Sequence, residues 1–536
     1  MSAASSWWRS AVVYQVYLRS FADGNGDGVG DLTGLRARIP YLVDLGVDAI
    51  WLNPWYRSPM RDGGYDVADY RQIDPRFGTL ADAESFVADA HAAGLRVVVD
   101  LVPNHTSSDH DWFAEAVAAG PGAPARERYH FRAGRGVDGA EPPTDWPSVF
   151  GGPAWSRLAD GEWYLHLFDP SQPDLNWSHP DVIVEFEEIL RFWLDRGIDG
   201  FRVDVAHGLV KDPHYTDLAG RSPHVDVSAE TGHPYWDRDE LHDIARRWRA
   251  VLDDYDDRMM VAEASVHATR RPLYVRPDEF HQAFDFDLLA ADWNAKQFAE
   301  VIRHAVAATA AVGSTPTWVL SNHDVMRHAT RYGLPNGVDT RSWAVEGPHE
   351  LLDAARGARR ARAAALIELA LPGSAYLYQG DELGLPEVWD LPVEVLDDPV
   401  WVRSGGKEKG RDGCRVPIPW TPDRPSFGFS TGTAWLPQPD AFGEHSVARQ
   451  LADATSTLAL YRRALATRRL LLDDDEQLEV MDGPADVLRF RRSRGFTCIA
   501  NMGDDPVVLP PGDVVLGSVE IGDDRRLPPD EAVWLR

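Results

Sequence analysis

Lysine is almost absent from this chain. Only four of its 54 basic residues are lysines: Lys211, Lys296, Lys407 and Lys409. The chain also carries 84 acidic residues, which gives a net charge of −30 over 536 residues. Nucleic acids and anionic membranes are bound through basic patches. The excess of acid therefore argues against both as partners.

Cysteines are few, and long apolar runs are lacking. The two cysteines, Cys414 and Cys498, are too few for a disulfide framework, and their spacing does not suggest a metal site. No stretch approaches the roughly 18 apolar residues that span a membrane. Residues 1–10 lack the apolar core of a secretory signal. We therefore expect a soluble, cytoplasmic protein without a membrane segment.

Strand-like and helix-like segments alternate along most of the chain, which is typical of a parallel α/β fold. The candidate strands are Val12–Tyr17, Asp48–Leu52, Arg96–Leu101, Gly200–Val205, Met259–Ala262, Phe284–Leu288, Thr317–Leu320 and Ala375–Tyr378. Eight strand–helix units predict a (β/α)8 TIM barrel. The active site of such a barrel lies at the C-terminal ends of its strands.

Two regions depart from this alternation. Residues 104–174 are long, irregular and rich in Gly, Pro, Trp and Asp, which predicts a domain inserted after the third strand. After a predicted helix at Ser446–Leu470, short strand-like runs, one of them at Glu520–Ile521, predict a C-terminal antiparallel β-sandwich. The predicted domains are the barrel at 1–103 and 175–469, the inserted domain at 104–174 and the C-terminal domain at 470–536.

Polar side chains collect at the C-terminal ends of the predicted strands. They are Asp100, Asn104, His105, Asp204, Glu263, His323 and Asp324. Because these ends open at one rim of a barrel, we expect the side chains to meet there. Buried ion pairs that only stabilise the barrel would not be expected to choose that rim repeatedly. The pattern therefore favours an active site.

The carboxylates at this rim suit the cleavage of a glycosidic bond. Arg202 and Asp204 face the same side of one strand, and the cation favours an ionised, nucleophilic carboxylate. Glu263 follows an apolar run, where desolvation and a neighbouring anion raise a carboxyl pKa as a general acid requires. A nucleophilic carboxylate and an acid are the apparatus of a retaining glycosidase. A metal site is the alternative, disfavoured because Arg202 would repel a cation.

Five segments resemble those of the α-amylase superfamily (glycoside hydrolase family 13), in its α-glucosidase and oligo-1,6-glucosidase branch. They are Asp100–His105, Gln172–Trp177, Gly200–Asp204, Val261–Glu263 and Ser321–Asp324. The resemblance implies a double displacement. In it, Asp204 attacks the anomeric carbon, Glu263 protonates the leaving oxygen and later activates water, and Asp324 steadies the distorted sugar ring.

The resemblance also implies a set of sugar-binding residues. Asp62 and Tyr65 would close the pocket behind one glucose, as in similar exo-acting enzymes. A structural role is the alternative for the histidines, and ordinary packing is the alternative for the two phenylalanines. The residues assigned to sugar binding are Asp62, Tyr65, His105, Phe150, Phe168, Arg202, His323 and Arg415.

The segment 23–31 has oxygen-bearing side chains at every second position with glycines between them, which suits a hard cation such as Ca²⁺. It lacks the Glu that ends an EF-hand loop, and Val29 breaks the dinucleotide-binding glycine pattern. A surface turn without a cation is the alternative. The resemblance implies structural Ca²⁺, or Mg²⁺, bound by Asp23, Asn25, Asp27, the Val29 carbonyl and Asp31.

The function expected from the sequence is an exo-α-glucosidase acting on maltose and short oligosaccharides. An oligo-1,6-glucosidase and a transglycosylating relative such as a trehalose synthase are the alternatives. In similar enzymes a Val after the nucleophile accompanies α-1,6 specificity, and Val205 fits that rule. His207 stands where an Asn is common in oligo-1,6-glucosidases, and on this departure we expect a preference for α-1,4 linkages. The sequence gives no indication of oligomeric state.

Overall fold

The structure is a computed structural model that describes residues 6–223, 232–471, 476–493 and 495–536. Residues 1–5, part of the segment without a signal-like core, lie outside the described residues. Within the described ranges, eight parallel strands form the central sheet. They are β1 (Val12–Val16), β2 (Ala49–Leu52), β3 (Arg96–Leu101), β4 (Gly200–Val203), β5 (Met259–Ala262), β6 (Gln282–Ala283), β7 (Thr317–Val319) and β8 (Ser374–Tyr378).

The sheet closes into a barrel. The strand order β6-β5-β4-β3-β2-β1-β8-β7 leaves β6 and β7 at its two ends. A parallel bridge between Asp285 and Trp318 joins these ends, and the amide of Asp285 donates a hydrogen bond to the carbonyl of Thr317 at 3.0 Å. The predicted (β/α)8 barrel is confirmed.

The longer helices outside the segment between β3 and β4 surround the barrel, and each buries one face. In Pro180–Leu194, for example, Val182, Phe186, Ile189 and Trp193 are buried at the spacing of an amphipathic helix. The longer helices are Leu32–Ala37, Ile39–Leu45, Leu80–Ala92, Asp111–Ala119, Pro180–Leu194, Leu241–Leu252, Ala295–Ala310, Thr340–Glu346, Ala354–Ala370 and Thr457–Leu471. None of the helices in the described ranges is both long and apolar enough to cross a membrane.

Two predicted elements are wrong in their bounds. The sixth strand, predicted at Phe284–Leu288, is the two-residue β6, and helix Phe286–Ala290 begins where the strand was expected. The side chain of Asp285 caps that helix by accepting a hydrogen bond from the amide of Asp287, so the apolar run after it is helical. The predicted helix Ser446–Leu470 is interrupted by the turn at residues 452–456.

The long segment between β3 and β4 extends out of the barrel, and its two ends lie side by side at the barrel rim. An antiparallel bridge between His105 and Asp174 joins its two ends. In between lie the helix Asp111–Ala119 and a small antiparallel sheet whose strands are Phe131–Ala133, Trp155–Arg157 and Glu162–Leu165. This segment forms one wall over the C-terminal rim of the barrel.

The C-terminal region is antiparallel, as predicted. Its larger sheet contains the strands Leu478–Val480, Val487–Arg492, Thr497–Asn501, Val514–Gly517 and Glu531–Leu535, and a smaller one pairs Val507–Val508 with Arg526–Leu527. Ile499, Leu527 and Val533 pack in the apolar core that the two sheets share. The strand predicted at Glu520–Ile521 is wrong, because these residues form no ladder.

Candidate active site

The polar residues at the ends of β3, β4, β5 and β7 meet around one cavity of about 910 Å³. Segments from the inserted region and from the loop after β8 complete its walls. Of the residues that the sequence assigns to catalysis or sugar binding, those lining the cavity are Asp62, Tyr65, His105, Phe150, Phe168, Asp204, Glu263 and Asp324. The other three, Arg202, His323 and Arg415, lie behind this lining and contact it.

Arg202 is the centre of a carboxylate cluster. It is 2% exposed, and its Nη1 lies 2.7 Å from Oδ1 of Asp204 and 2.7 Å from Oδ1 of Asp100. Its Nη2 lies 2.8 Å from Oε2 of Glu263. The parallel register places Arg202 beside Asp100 on β3 and beside Val261 on β5, which explains how one side chain reaches three strands. Asp204 and Glu263 are therefore held by the same guanidinium.

Burial opposes ionisation in this cluster. Burial raises the pKa of Asp204, and the nearby Glu263 and Asp100 add to this effect while Arg202 opposes it. Burial also raises the pKa of Asp100 to about 6. Arg202 is the cation that opposes this effect of burial, and it contacts all three carboxylates.

Glu263 is oriented by an unusual backbone conformation. Val205 has φ 46° and ψ 39°, in the left-handed region that a β-branched residue rarely adopts. In this conformation the amide of Val205 donates a hydrogen bond to Oε2 of Glu263 at 3.0 Å. Oε2 thus has two donors, Val205 and Arg202, whereas Oε1 has none among the described residues. Strain of this kind is concentrated at functional sites.

Asp324 lies among cationic and hydrogen-bonding groups. Its Oδ1 is 3.0 Å from Nη2 of Arg415 and 3.3 Å from Nη1 of Arg411, and its Oδ2 is 3.2 Å from Nε2 of His323. Burial alone would raise the pKa of Asp324, but these neighbours lower it below its ordinary value. Asp324 is therefore ionised at neutral pH.

His323 is held in one tautomer by its neighbours. The amide nitrogen Nε2 of Gln15 lies 2.8 Å from Nδ1 of His323 and donates to it, so the ring proton is on Nε2. That nitrogen lies 2.6 Å from the hydroxyl of Tyr65, which in turn donates to Oδ2 of Asp100 at 2.9 Å. Burial lowers the pKa of His323 well below its ordinary value, so the ring is neutral.

His105 is also buried and neutral, because burial lowers its pKa to about 4. Its Nε2 lies 3.1 Å from the carbonyl oxygen of Tyr65. The ring centroids of His105 and Phe168 are 5.3 Å apart, and those of Phe168 and Phe150 are 5.5 Å apart. The two phenylalanines therefore form an apolar wall beside polar groups, an arrangement suited to the faces and hydroxyls of a sugar.

Arg411 is a site residue that the sequence argument missed. Its Nη2 lies 2.5 Å from Oδ1 of Asp62, and its Nε lies 2.5 Å from Oδ2 of the buried Asp398. It also contacts Asp324, so it connects the loops after β2, β7 and β8. Arg411 stands four residues before Arg415 in the same short segment, and this proximity was the available signal.

Gln172 was also not assigned a role. Its Nε2 donates to Oδ2 of Asp62 at 2.9 Å and lies 3.1 Å from Nε2 of His105. It therefore fixes the second oxygen of Asp62, while Arg411 fixes the first. Its place within the segment Gln172–Trp177, which carries part of the family resemblance, was the signal that could have identified it.

The loop at residues 23–31 is organised by its own side chains. Oδ1 of Asp23 accepts hydrogen bonds from the amides of Asn25 and Gly26 at 3.0 and 2.6 Å. Asp31 caps helix Leu32–Ala37 by accepting from the amide of Gly34 at 2.6 Å. In the described part of the chain, no three His, Cys, Asp or Glu side chains are grouped to hold a metal. The Ca²⁺ site stays a prediction.

The chain resembles known proteins over nearly its whole length. It is 39% identical to a probable alpha-glucosidase of Rhizobium meliloti (strain 1021), over 93% of this chain and 90% of that protein. It is 34% identical to an oligo-1,6-glucosidase of Parageobacillus thermoglucosidasius, over 88% and 86% of the two chains. The solved structure of an alpha-glucosyl transfer enzyme, XgtA, superposes with a TM-score of 0.83 at 36% identity and covers 99% of both chains.

The profile of the alpha-amylase catalytic domain matches residues 15–474. This range extends from β1 through all eight barrel strands, and it contains every residue that lines the cavity. The resemblance expected from the sequence motifs is confirmed: the chain belongs to the α-amylase family.

Proposed function

We propose that the protein is a retaining exo-α-glucosidase that releases terminal glucose from maltose and short α-linked oligosaccharides. One observation carries the proposal: the carboxylates of Asp204 and Glu263 are bound to two nitrogens of the same Arg202 guanidinium, at one cavity. A retaining glycosidase needs its two carboxyl groups about 5–5.5 Å apart, on either side of the scissile bond. A shared guanidinium keeps the two groups close.

In the first step, an Asp204 oxygen forms a bond to the anomeric carbon as the bond from that carbon to the leaving oxygen breaks. The leaving oxygen takes the proton from Oε1 of Glu263. Ionised Asp324 lies at the same cavity and stabilises the positive charge that develops on the sugar ring. Its low pKa suits this role.

In the second step, water replaces the leaving group. The Glu263 carboxylate accepts a proton from the water as the water oxygen attacks the anomeric carbon, and the bond to Asp204 breaks. Glucose leaves with the anomeric configuration it had in the substrate, because two inversions restore it. Glu263 and Asp204 return to their starting protonation states.

Cleavage from the chain end is supported by the ion pair between Asp62 and Arg411 in the cavity wall. Asp62 is 3% exposed and is held by both Arg411 and Gln172. A carboxylate fixed in this way can accept hydrogen bonds from the hydroxyls of a terminal glucose, and the Asp62–Arg411 pair leaves no path for a longer chain behind it.

The α-1,4 preference is supported by the wall on the leaving-group side. His207 lines the cavity there and stacks on Trp236 with ring centroids 4.8 Å apart. A ring held in this way is bulkier than the Asn expected for an α-1,6 enzyme. Differences of this size in one subsite change specificity by about 1–3 kcal/mol.

Glucosyl transfer is a second candidate. It uses the same covalent intermediate with a sugar or alcohol hydroxyl in place of water, and the similar solved structure is described as an alpha-glucosyl transfer enzyme.

Product analysis on maltose, isomaltose, sucrose and trehalose tests both functions. We expect glucose from maltose at least as fast as from isomaltose; a strong preference for isomaltose would contradict the α-1,4 assignment. Oligosaccharides longer than the substrate would indicate transfer.

The loop at residues 23–31 is proposed to bind Ca²⁺ as a structural cation. Oxygen atoms of Asp23, Asn25, Asp27 and Asp31 and a turn built on glycines are the features that support it. Such a cation would hold the loop after β1 and would take no part in the reaction.

A further inference from the structure

The mouth of the cavity carries an unusual concentration of lysine. Two of the four lysines in the chain, Lys407 and Lys409, line it. Arg341 lines it as well, from the helix Thr340–Glu346. We call these three residues the cationic rim. In a chain with a net charge of −30, cations at the entrance need an explanation, because a neutral oligosaccharide does not require them.

The rim lies on the leaving-group side of the reaction centre. Arg411 reaches to Asp62 at the closed end, and the two lysines precede it in the same loop. Along this loop Arg411 and Lys409 are partly buried, whereas Lys407, nearer the N-terminal end of the loop, is exposed. The loop therefore runs from the glucose-binding end to the open mouth, where the leaving group of the substrate must lie.

The loop that presents the lysines is ordered. The hydroxyl of Ser404 accepts hydrogen bonds from the amides of Lys407 and Glu408 at 3.2 and 3.1 Å. The Nζ of Lys409 donates to the carbonyl oxygen of Trp389 at 2.7 Å, and Trp389 also lines the cavity. The ammonium group of Lys409 and the backbone that carries Lys407 are therefore held near the mouth, which reduces the entropy lost when a ligand binds.

The rim cations are weakly neutralised. Arg341 lies 3.8 Å from Glu408, at the limit of an ion pair, and its side chain is 75% exposed. Lys409 lies near Asp390, and Lys407 forms no ion pair with any described residue. By contrast, the deeper Arg411 is bound by three carboxylates. Glu408 and Asp390 offset part of the charge of Arg341 and Lys409, while the charge of the exposed Lys407 stays available at the mouth. Phosphate and carboxylate groups are natural ligands of such a cation.

We propose that the cationic rim binds an anionic group, a phosphate monoester or a carboxylate, on the part of the substrate that leaves. The preferred substrate is then an α-glucoside whose second unit is acidic. This inference rests on the proposed glucosidase function, because it concerns the leaving group of the same reaction.

The test compares maltose with two anionic counterparts. One is maltose phosphorylated at C6 of its reducing-end glucose, and the other is maltobionate, which carries a carboxylate at the same end. We expect the kcat/KM ratio of anionic to neutral substrate to exceed one, and to fall as ionic strength rises from about 0.01 to 0.15 M because salt screens the rim. A higher kcat/KM for the phosphorylated maltose would identify a phosphate as the preferred group, and a higher value for maltobionate would identify a carboxylate.

Variants assign the effect to the rim. Lys407→Gln together with Lys409→Gln should lower the anionic-to-neutral ratio about tenfold, the value of one charged hydrogen bond. Lys407→Arg should preserve the ratio, and Lys296→Gln, on the helix Ala295–Ala310, should leave it unchanged. If maltose is cleaved but the anionic-to-neutral ratio of kcat/KM is below one, the proposal for the cationic rim is wrong and the glucosidase function stands. The same holds if neither salt nor the lysine variants change that ratio. Failure to cleave all three substrates would overturn the glucosidase function itself.

Discussion

Nη2 of Arg411 lies 2.5 Å from Oδ1 of Asp62, although the two residues are 349 positions apart in the chain. This contact lies in the wall of the cavity, at the end proposed to hold the terminal glucose. It also joins the loops after β2 and β8, and the second contact of Arg411 with Asp324 brings in the loop after β7.

We expect Arg411→Lys to raise KM for maltose. An ammonium group cannot reproduce the separate contacts of the guanidinium with Asp62, Asp324 and Asp398, and each charged hydrogen bond is worth about 1.5–3 kcal/mol. Steady-state kinetics on maltose measures the effect. Arg191→Lys, at an exposed ion pair with Asp254 on the outer face, is the matched control. An unchanged KM in Arg411→Lys would remove this residue from substrate binding.

We expect Glu263→Gln to slow the cleavage of maltose far more than that of an aryl α-glucoside with an acidic phenol as leaving group. A glutamine cannot supply a proton, and a good leaving group needs little protonation, whereas a sugar alkoxide needs much. Single-turnover rates on the two substrates measure the difference. Asp243→Asn, at an exposed position on the helix Leu241–Leu252, is the control. Equal losses on both substrates would mean that Glu263 is not the proton donor.

Asp199 should stabilise the fold in a pH-dependent way. Its buried carboxylate contacts His91, Arg96 and Arg258 at 2.7–2.8 Å. Burial alone would raise the pKa of Asp199, but the hydrogen bonds from His91 and Arg96 lower it below its ordinary value. A carboxyl group whose pKa is lower in the folded state than in the unfolded state stabilises the fold. The contribution is complete at pH values above the unfolded pKa of about 3.9, and it is lost as the pH falls through the folded pKa.

We therefore expect Asp199→Asn to lower the melting temperature most at neutral pH, because breaking a buried ion pair costs about 3–5 kcal/mol. The difference from wild type should shrink as the pH approaches the folded pKa. Thermal unfolding over a pH series measures it, with Asp254→Asn as the exposed control. A difference that grows as the pH falls would contradict the assignment.

Removal of the proposed structural cation should destabilise the protein. If the loop at residues 23–31 binds Ca²⁺, chelation should lower the melting temperature and added Ca²⁺ should restore it. Asp27→Asn should reduce the response to chelator, because it removes one proposed carboxylate ligand. Asp27 is chosen because it is exposed and does not cap the following helix, so its replacement should leave the helix intact. A melting temperature that no chelator concentration changes would identify the loop as a turn without a cation.

The barrel could be predicted from the sequence because its signals are local. Apolar runs of strand length are followed by polar residues such as Asp204 and Glu263, and the parallel barrel brings such ends together whatever their distance in sequence. The same reasoning failed for β6, where the capping of a helix by Asp285 competes with an apolar run that resembles a strand.

The rest of the site depends on contacts that no local pattern encodes. Arg411 acquires its role from Asp62 and Asp398, which only the folded chain brings near it. The left-handed conformation of Val205 could not be predicted either, because valine disfavours it and the surrounding barrel imposes it.

The central claim is that Asp204 forms a covalent bond to glucose, and chemical trapping tests it directly. The enzyme is incubated with 5-fluoro-α-glucosyl fluoride, whose good leaving group allows the first step while the ring fluorine slows the second. Mass spectrometry of the digested protein should then find one fluoroglucosyl group on the peptide that contains Asp204, and none in Asp204→Asn. A label on another residue, or β-glucose as the first sugar released from an aryl α-glucoside, would contradict the double displacement.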